Sequence, residues 1–179
     1  MNLANKLTLI RVALIPFFLI VLYTMAQPFN IYVGVAIFVV ASVTDFVDGY
    51  IARSRNLVTD FGKFMDPLAD KLLVSAALIY MTEVGLIPAW VTVIIISREF
   101  VVSGIRLVAA TNGTVLAASV WGKIKTALTM VTIVFVLLGL PLPYYTEVGW
   151  VLIAASTFFT LLSGYDYVAK NWRMFEGKM

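Results

Sequence analysis

The 179-residue chain contains no cysteine and no histidine. The first absence excludes disulfides and thiolate metal sites. The second removes the commonest general base and the commonest zinc ligand. Charge is also scarce. Only 13% of residues are charged, about half the usual share for a soluble domain. Against this, 61% are apolar and mean hydropathy is +0.97, so a water-soluble globule of this size would lack the polar surface to cover itself. Six spans of roughly 20 residues would use about 120 positions and leave about 59 for loops and tails. The expectation is one all-α integral membrane domain over 1–179, with no room for a second soluble domain. No internal repeat or low-complexity segment interrupts it, and no nucleic-acid partner is expected.

Charge-free stretches locate the spans. Positions 12–44 carry no charge and contain one break, Gln27-Pro28-Phe29-Asn30, so they read as parts of two crossings. Further charge-free runs cover 72–82, 84–97, 107–122, 126–146 and 148–165. Turn signals fall at Gly85 to Pro88, Thr111 to Thr114 and Pro141 to Pro143. The pattern predicts helices near 7–26, 30–53, 64–84, 88–110, 120–140 and 147–168. The first 25 residues resemble a signal peptide in charge and apolarity but show no small-x-small cleavage site before the Gln27-Pro28 turn.

The distribution of charge orients the bundle. With both termini inside, all 13 lysines and arginines fall on the inner side or in the inner half, and the outer loops carry only Glu83 and Glu147. Six transmembrane helices with an N-in, C-in arrangement satisfy the positive-inside rule without exception.

Four aspartates break the apolar pattern. Asp45 and Asp48 (i, i+3) share a face near the inner end of predicted helix two, and Asp66 and Asp70 (i, i+4) share one near the inner end of predicted helix three. The short connection between the helices would make them antiparallel neighbours and gather the four carboxylates. An unpaired aspartate costs roughly 2.5–3.5 kcal/mol at a membrane-helix centre, less near the interface, so something must neutralise the set. Two divalent cations supply the opposing charge, and an all-oxygen site without His or Cys selects a hard ion such as Mg²⁺ or Mn²⁺. A single Asp near a helix end also caps or partners an arginine. Asp66 before Pro67 reads as an N-cap followed by proline at the first helical position. Gly49, Ala52 and Gly62 lie beside the aspartates, where small residues admit a ligand to the backbone or let helices pack closely.

Together these residues form Asp45-x2-Asp48-Gly49-x2-Ala52-Arg53-x8-Gly62-x3-Asp66-x3-Asp70. This resembles the signature of the CDP-alcohol phosphatidyltransferase family at every fixed position. The resemblance implies a homodimeric bacterial inner-membrane enzyme of six helices, its active site at the cytoplasmic ends of helices two and three, which displaces CMP from a CDP-linked lipid or alcohol with a second hydroxyl. Within the family the chain is similar to the bacterial phosphatidylglycerophosphate synthases in Asn5-Lys6-Leu7-Thr8-x2-Arg11, Gly62-Lys63-Phe64-x-Asp66-Pro67-x-Ala69-Asp70-Lys71, Ser97-Arg98-Glu99-Phe100, Arg106 and Gly122-Lys123-Ile124-Lys125-Thr126. That narrower likeness implies CDP-diacylglycerol as donor and sn-glycerol 3-phosphate as acceptor. Serine or inositol phosphate as acceptor would keep the same chemistry. An ion-coupled transporter is the rival outside it, and would need a carboxylate path to the outer face.

By analogy with the family, Asp45, Asp48 and Asp66 hold the metals, with Asp70 a further ligand or the base. Without histidine the proton of the attacking hydroxyl must go to a carboxylate, lysine or tyrosine. Gly49, Ala52, Arg53 and Gly62 would form the nucleotide pocket, Arg53 pairing with phosphate. A dianionic acceptor needs a basic pocket of its own. Arg98 lies deep in predicted helix four, Arg106 follows two turns later, and Lys123 and Lys125 open helix five. These are expected to receive the acceptor phosphate, with Thr8 and Arg11 at the same mouth. Glu99, next to Arg98 but turned away along a helix, need not pair with it. Trp90, Trp150 and Trp172 read as interface anchors among the membrane lipids.

Overall fold

Among the described residues the backbone forms six helices: α1 (Leu3–Thr24), α2 (Phe29–Ser54), α3 (Asp60–Glu83), α4 (Ala89–Thr111), α5 (Val120–Leu138) and α6 (Tyr145–Lys170). The computed structural model describes the backbone of residues 3–54, 60–111, 116 and 119–172; the side chains of 3–9, 11, 45–54, 60–68, 70 and 111 lie outside the described residues. No strand occurs among the described residues.

Local chemistry fixes the ends. Ser119 caps α5 by accepting a hydrogen bond from the Gly122 N–H at 3.1 Å. Gly139 closes α5 in the left-handed region, φ 53°, a conformation glycine adopts without Cβ strain. Helix five therefore stops at Leu138, two residues short of the expected boundary. At the start of α3 the difference is larger and bears on function. The helix begins at Asp60 rather than near 64, so Asp66 and Pro67 lie in its second turn. The N-cap reading of Asp66 is thereby corrected, because a cap residue stands outside the helix it starts. Pro67 lacks an N–H, so the Lys63 carbonyl loses its usual helical donor there.

The chain divides into two compact units, Met1–Val84 and Gly85–Met179. In the first, α1 packs against both α2 and α3, and α2 and α3 also touch. Phe18 and Leu22 of α1, Phe38 and Ala41 of α2, and Leu73, Ala77 and Met81 of α3 are buried. Gly34 admits the close approach of α1 and α2: a Cβ there would stand 2.6 Å from Leu22 Cδ2. At one end Asn30 Nδ2 donates to the Leu22 carbonyl at 3.0 Å. The Tyr23 hydroxyl donates to Glu83 across α1 and α3, its ring edge-on to Tyr80 at 5.3 Å.

In the second unit α6 packs against α4 and α5. The α5–α6 seam is rich in hydroxyls. Thr126, Thr129 and Thr132 donate to the carbonyls of Gly122, Lys125 and Leu128, one turn back. On α6, Thr157 and Thr160 do the same to Ile153 and Ser156. Across the seam, the Thr129 and Ser156 hydroxyls meet at 2.9 Å, and Thr132 reaches the Leu152 carbonyl at 3.3 Å. Phe135 and Tyr145 stack with centroids 4.0 Å apart near the α5–α6 turn.

Large apolar side chains are exposed on every helix, among them Phe17, Val40, Ile79, Phe100, Val131 and Phe158. Such continuous apolar exposure suits lipid rather than water. Among the described residues, α5 and α6 are long and apolar enough to cross a membrane, with hydropathies of 1.6 and 1.5; Val12–Thr24 and Phe29–Thr44 are shorter apolar helical stretches. Trp90, Trp150 and Trp172 are all exposed, as interface anchors would be.

Candidate active site

The acidic motif lies on the two helix ends that flank residues 55–59. Asp45, Asp48, Gly49, Ala52 and Arg53 occupy the last turns of α2, and Gly62, Asp66 and Asp70 the first turns of α3. At 1.5 Å per residue, Asp48 stands about 9 Å before the end of α2 and Asp66 about 9 Å after the start of α3. Asp45 and Asp70 follow at about 14 and 15 Å. The two rows thus sit at matching depths along their own helices.

Helical register relates the rows to the core. Residues seven apart fall nearly on one line of a helix. Phe38 and Ala41, buried on α2, lead by that step to Asp45 and Asp48. On α3, buried Leu73 and Ala77 lead back to Asp66 and Asp70 by the same step. Both aspartate rows therefore continue the registers that form the core of the first unit. Ala52 falls within the Asp45–Asp48 arc and Gly49 about 40° outside it, next to Asp45, and Gly62 is one turn before Asp66. The side chains of Asp45, Asp48, Gly49, Ala52, Arg53, Gly62, Asp66 and Asp70, and of Thr8 and Arg11 on α1, lie outside the described residues.

As a donor set, four carboxylates fit a hard divalent ion. Among the described residues, which leave out these four side chains, no group of three or more His, Cys, Asp or Glu could hold a metal.

Of the expected acceptor residues, Thr8 and Arg11 fall on α1 of the first unit, and Arg98, Arg106, Lys123 and Lys125 fall in the second, where the structure sorts them. Arg98 and Lys125 come together from α4 and α5 through Glu99. Glu99 Oε1 accepts from Arg98 Nη1 at 3.1 Å and also from Lys125 Nζ. The side chains are 12% exposed for Arg98, 20% for Glu99 and 3% for Lys125. Arg98 and Glu99 do pair, although their adjacent positions on a helix did not require it. Their directions differ by about 100° around the helix, but both side chains are long enough to bend to one point. Lys123 does not join them and is exposed on α5. Arg106 is exposed further along α4; its Nε donates to the Tyr167 hydroxyl at 3.1 Å, with the guanidinium 5.6 Å above that ring.

Two glycines shape the surroundings of Arg98. A Cβ on Gly122 would stand 3.3 Å from Arg98 Nη2, and a Cβ on Gly164 would stand 3.3 Å from Arg98 Cγ. Sequence reasoning missed Gly164 and Tyr167 altogether. Neither carries a local signal, because each matters only through α4–α6 packing.

The model of the family described as CDP-alcohol phosphatidyltransferase matches residues 1–162. A CDP-diacylglycerol–glycerol-3-phosphate 3-phosphatidyltransferase of Bacillus subtilis is 48% identical, covering 96% of this chain and 95% of that protein. A protein of the same name from Rickettsia bellii is 39% identical over 93% of each. A probable phosphatidylglycerophosphate synthase of Mycobacterium tuberculosis is 40% identical, over 98% of this chain and 84% of its own length. A family match across most of the length, relatives aligned nearly end to end and the complete aspartate signature agree: this chain belongs to the CDP-alcohol phosphatidyltransferase family.

Proposed function

We propose that the chain transfers the phosphatidyl group of CDP-diacylglycerol to sn-glycerol 3-phosphate, releasing CMP and forming phosphatidylglycerol phosphate. The observation that carries this reading is the placement of Asp45, Asp48, Asp66 and Asp70 on the registers of the buried core of α2 and α3, within a chain similar over nearly its whole length to transferases named for this donor and acceptor.

The reaction is attack of a hydroxyl on the lipid-linked phosphorus, with CMP as leaving group. Asp45, Asp48 and Asp66, with Asp70 beside them, would hold two divalent ions, Mg²⁺ or Mn²⁺, which would supply Lewis acidity for the charge that builds on the phosphoryl oxygens. Asp70 takes the proton of the attacking hydroxyl in a chain that has no histidine to do so. Gly49, Ala52 and Gly62 leave space for the cytidine nucleotide, and Arg53 pairs with its phosphate. Arg98 and Lys125 receive the phosphate of the acceptor, with Arg106, Lys123, Thr8 and Arg11 as further members of that basic set. The enzyme works as a single domain over 1–179.

Six membrane crossings with both termini in the cytoplasm accommodate the charge distribution and the exposed apolar surface. In that arrangement the lipid substrate keeps its acyl chains in the bacterial inner membrane while its head group meets the aspartates at the cytoplasmic face. The working form is a homodimer, as in the family.

The test is CMP release by purified protein from CDP-diacylglycerol with Mg²⁺ or Mn²⁺, each acceptor supplied separately. Turnover with sn-glycerol 3-phosphate and none with serine or inositol phosphate is expected. Turnover with serine alone would overturn the acceptor assignment and leave the donor chemistry standing.

A further inference from the structure

Arg98, Glu99 and Lys125 form a charged knot between α4 and α5. One carboxylate oxygen, Glu99 Oε1, serves both cations. Taken at full ionisation the three side chains sum to +1, and Arg98 Nε is buried with no hydrogen-bond partner among the described residues. Gly122 and Gly164 leave the Arg98 side chain its place: a Cβ on Gly122 would stand 3.3 Å from its Nη2, and one on Gly164 would stand 3.3 Å from its Cγ.

Two buried cations brought together from different helices repel one another and carry a desolvation cost unless an anion answers both. Glu99 is placed to do that. It lies beside Arg98 in sequence and reaches across to Lys125 on the neighbouring helix. Its carboxylate fixes the spacing of the two donors before any substrate arrives. A net positive pair held at fixed spacing, with a buried donor still unpartnered, suits an incoming phosphomonoester, whose oxygens accept from several donors at once.

We propose that Glu99 is a positioning residue for the acceptor. It acts through Arg98 and Lys125, holding them as one preorganised phosphate receptor, and does not itself touch the substrate. This rests on the assignment of Arg98 and Lys125 to the acceptor phosphate. Preorganisation of this kind is read in the affinity for the acceptor, because the donor nucleotide and the metal-binding aspartates belong to α2 and α3.

The test uses the full chain, CDP-diacylglycerol and Mg²⁺, with CMP release followed over a range of sn-glycerol 3-phosphate concentrations. Glu99→Gln is expected to raise the acceptor KM about tenfold or more, with the KM for CDP-diacylglycerol within about twofold of the parent. Because Glu99 acts through Arg98 and Lys125, the double variant Glu99→Gln/Lys125→Gln should lose clearly less than the product of the two single losses. An unchanged acceptor KM in Glu99→Gln, while Arg98→Gln and Lys125→Gln both raise it, overturns the proposal alone. A double variant worse than Lys125→Gln by the full single effect overturns it as well. Should Glu99→Gln strand the Lys125 charge and fail to fold, the double variant against Lys125→Gln decides, a further rise of about tenfold in acceptor KM overturning the proposal. An acceptor KM indifferent to Arg98→Gln and Lys125→Gln would strike the acceptor assignment itself.

Discussion

Replacing Gly164 with alanine separates the stability of α6 from the placement of Arg98. Gly164 lies inside α6, where alanine favours the helix over glycine by about 0.8–1.0 kcal/mol. The new Cβ would sit 3.3 Å from Arg98 Cγ, inside the optimal carbon–carbon separation of about 3.5–4.0 Å. Arg98 must yield by a few tenths of an ångström, and a side chain pushed off its rotamer costs about 0.5–1.5 kcal/mol. The two effects nearly cancel, so the melting temperature should scarcely move. Gly104 on α4 provides the reference, since a Cβ there meets nothing within 4 Å. Gly104→Ala should realise the helical gain in full and raise Tm by about 2–4 °C for a chain of this size. The difference between the two shifts measures the pressure on Arg98. The same pressure should raise the sn-glycerol 3-phosphate KM of Gly164→Ala severalfold, read by CMP release, and leave that of Gly104→Ala at the parent value. If both variants gain equal stability and keep the parental KM, the glycine flank does not position Arg98.

Asp66→Asn should abolish turnover, as should EDTA, with activity in the EDTA-treated enzyme restored by Mg²⁺ or Mn²⁺; a mutant at normal rate would defeat the metal assignment. A double-mutant cycle on Thr129→Val and Ser156→Ala, followed by unfolding in mixed detergent, should return a coupling of about 0.6 kcal/mol and no more than about 1.7; zero coupling would mean that the 2.9 Å contact holds nothing. Gly34→Leu should destabilise the first unit by about 1–3 kcal/mol, because a Cβ 2.6 Å from Leu22 Cδ2 meets a side chain already buried. Full stability in that variant would show that α1 and α2 are free to separate.

The helices were legible in the sequence because lipid-length apolar runs, interrupted by charge and by Pro and Gly, leave few alternatives. All six appear within four residues of the expected boundaries. The starts of α1 and α3 differ most, each four residues early; that of α3 arises because Asp66-Pro67 carries a helix-start signal although the helix already runs from Asp60. Proline at that position deprives the helix of one hydrogen bond without ending it. The acidic motif was legible for a different reason: carboxylates in an apolar helix are costly, so their spacing stands out. The basic set was only half legible. Lys123 and Lys125 look equivalent in the sequence, yet one is exposed and the other almost wholly buried against Glu99. The difference comes from which face of α5 meets its neighbours, and that is decided by packing. The linking role of Glu99 was hidden by the same cause, since the side chain that joins it to α5 lies 26 residues away.

The hydroxyls of α5 and α6 have a consequence for biogenesis. Thr126, Thr129, Thr132, Thr157 and Thr160 each donate to a carbonyl of their own helix, so much of their polarity is already concealed before the two segments meet. Each segment is thus prepared to leave the translocation machinery and enter lipid alone. The contact between Thr129 and Ser156 then joins two segments in which these threonine donors are already satisfied within their own helices.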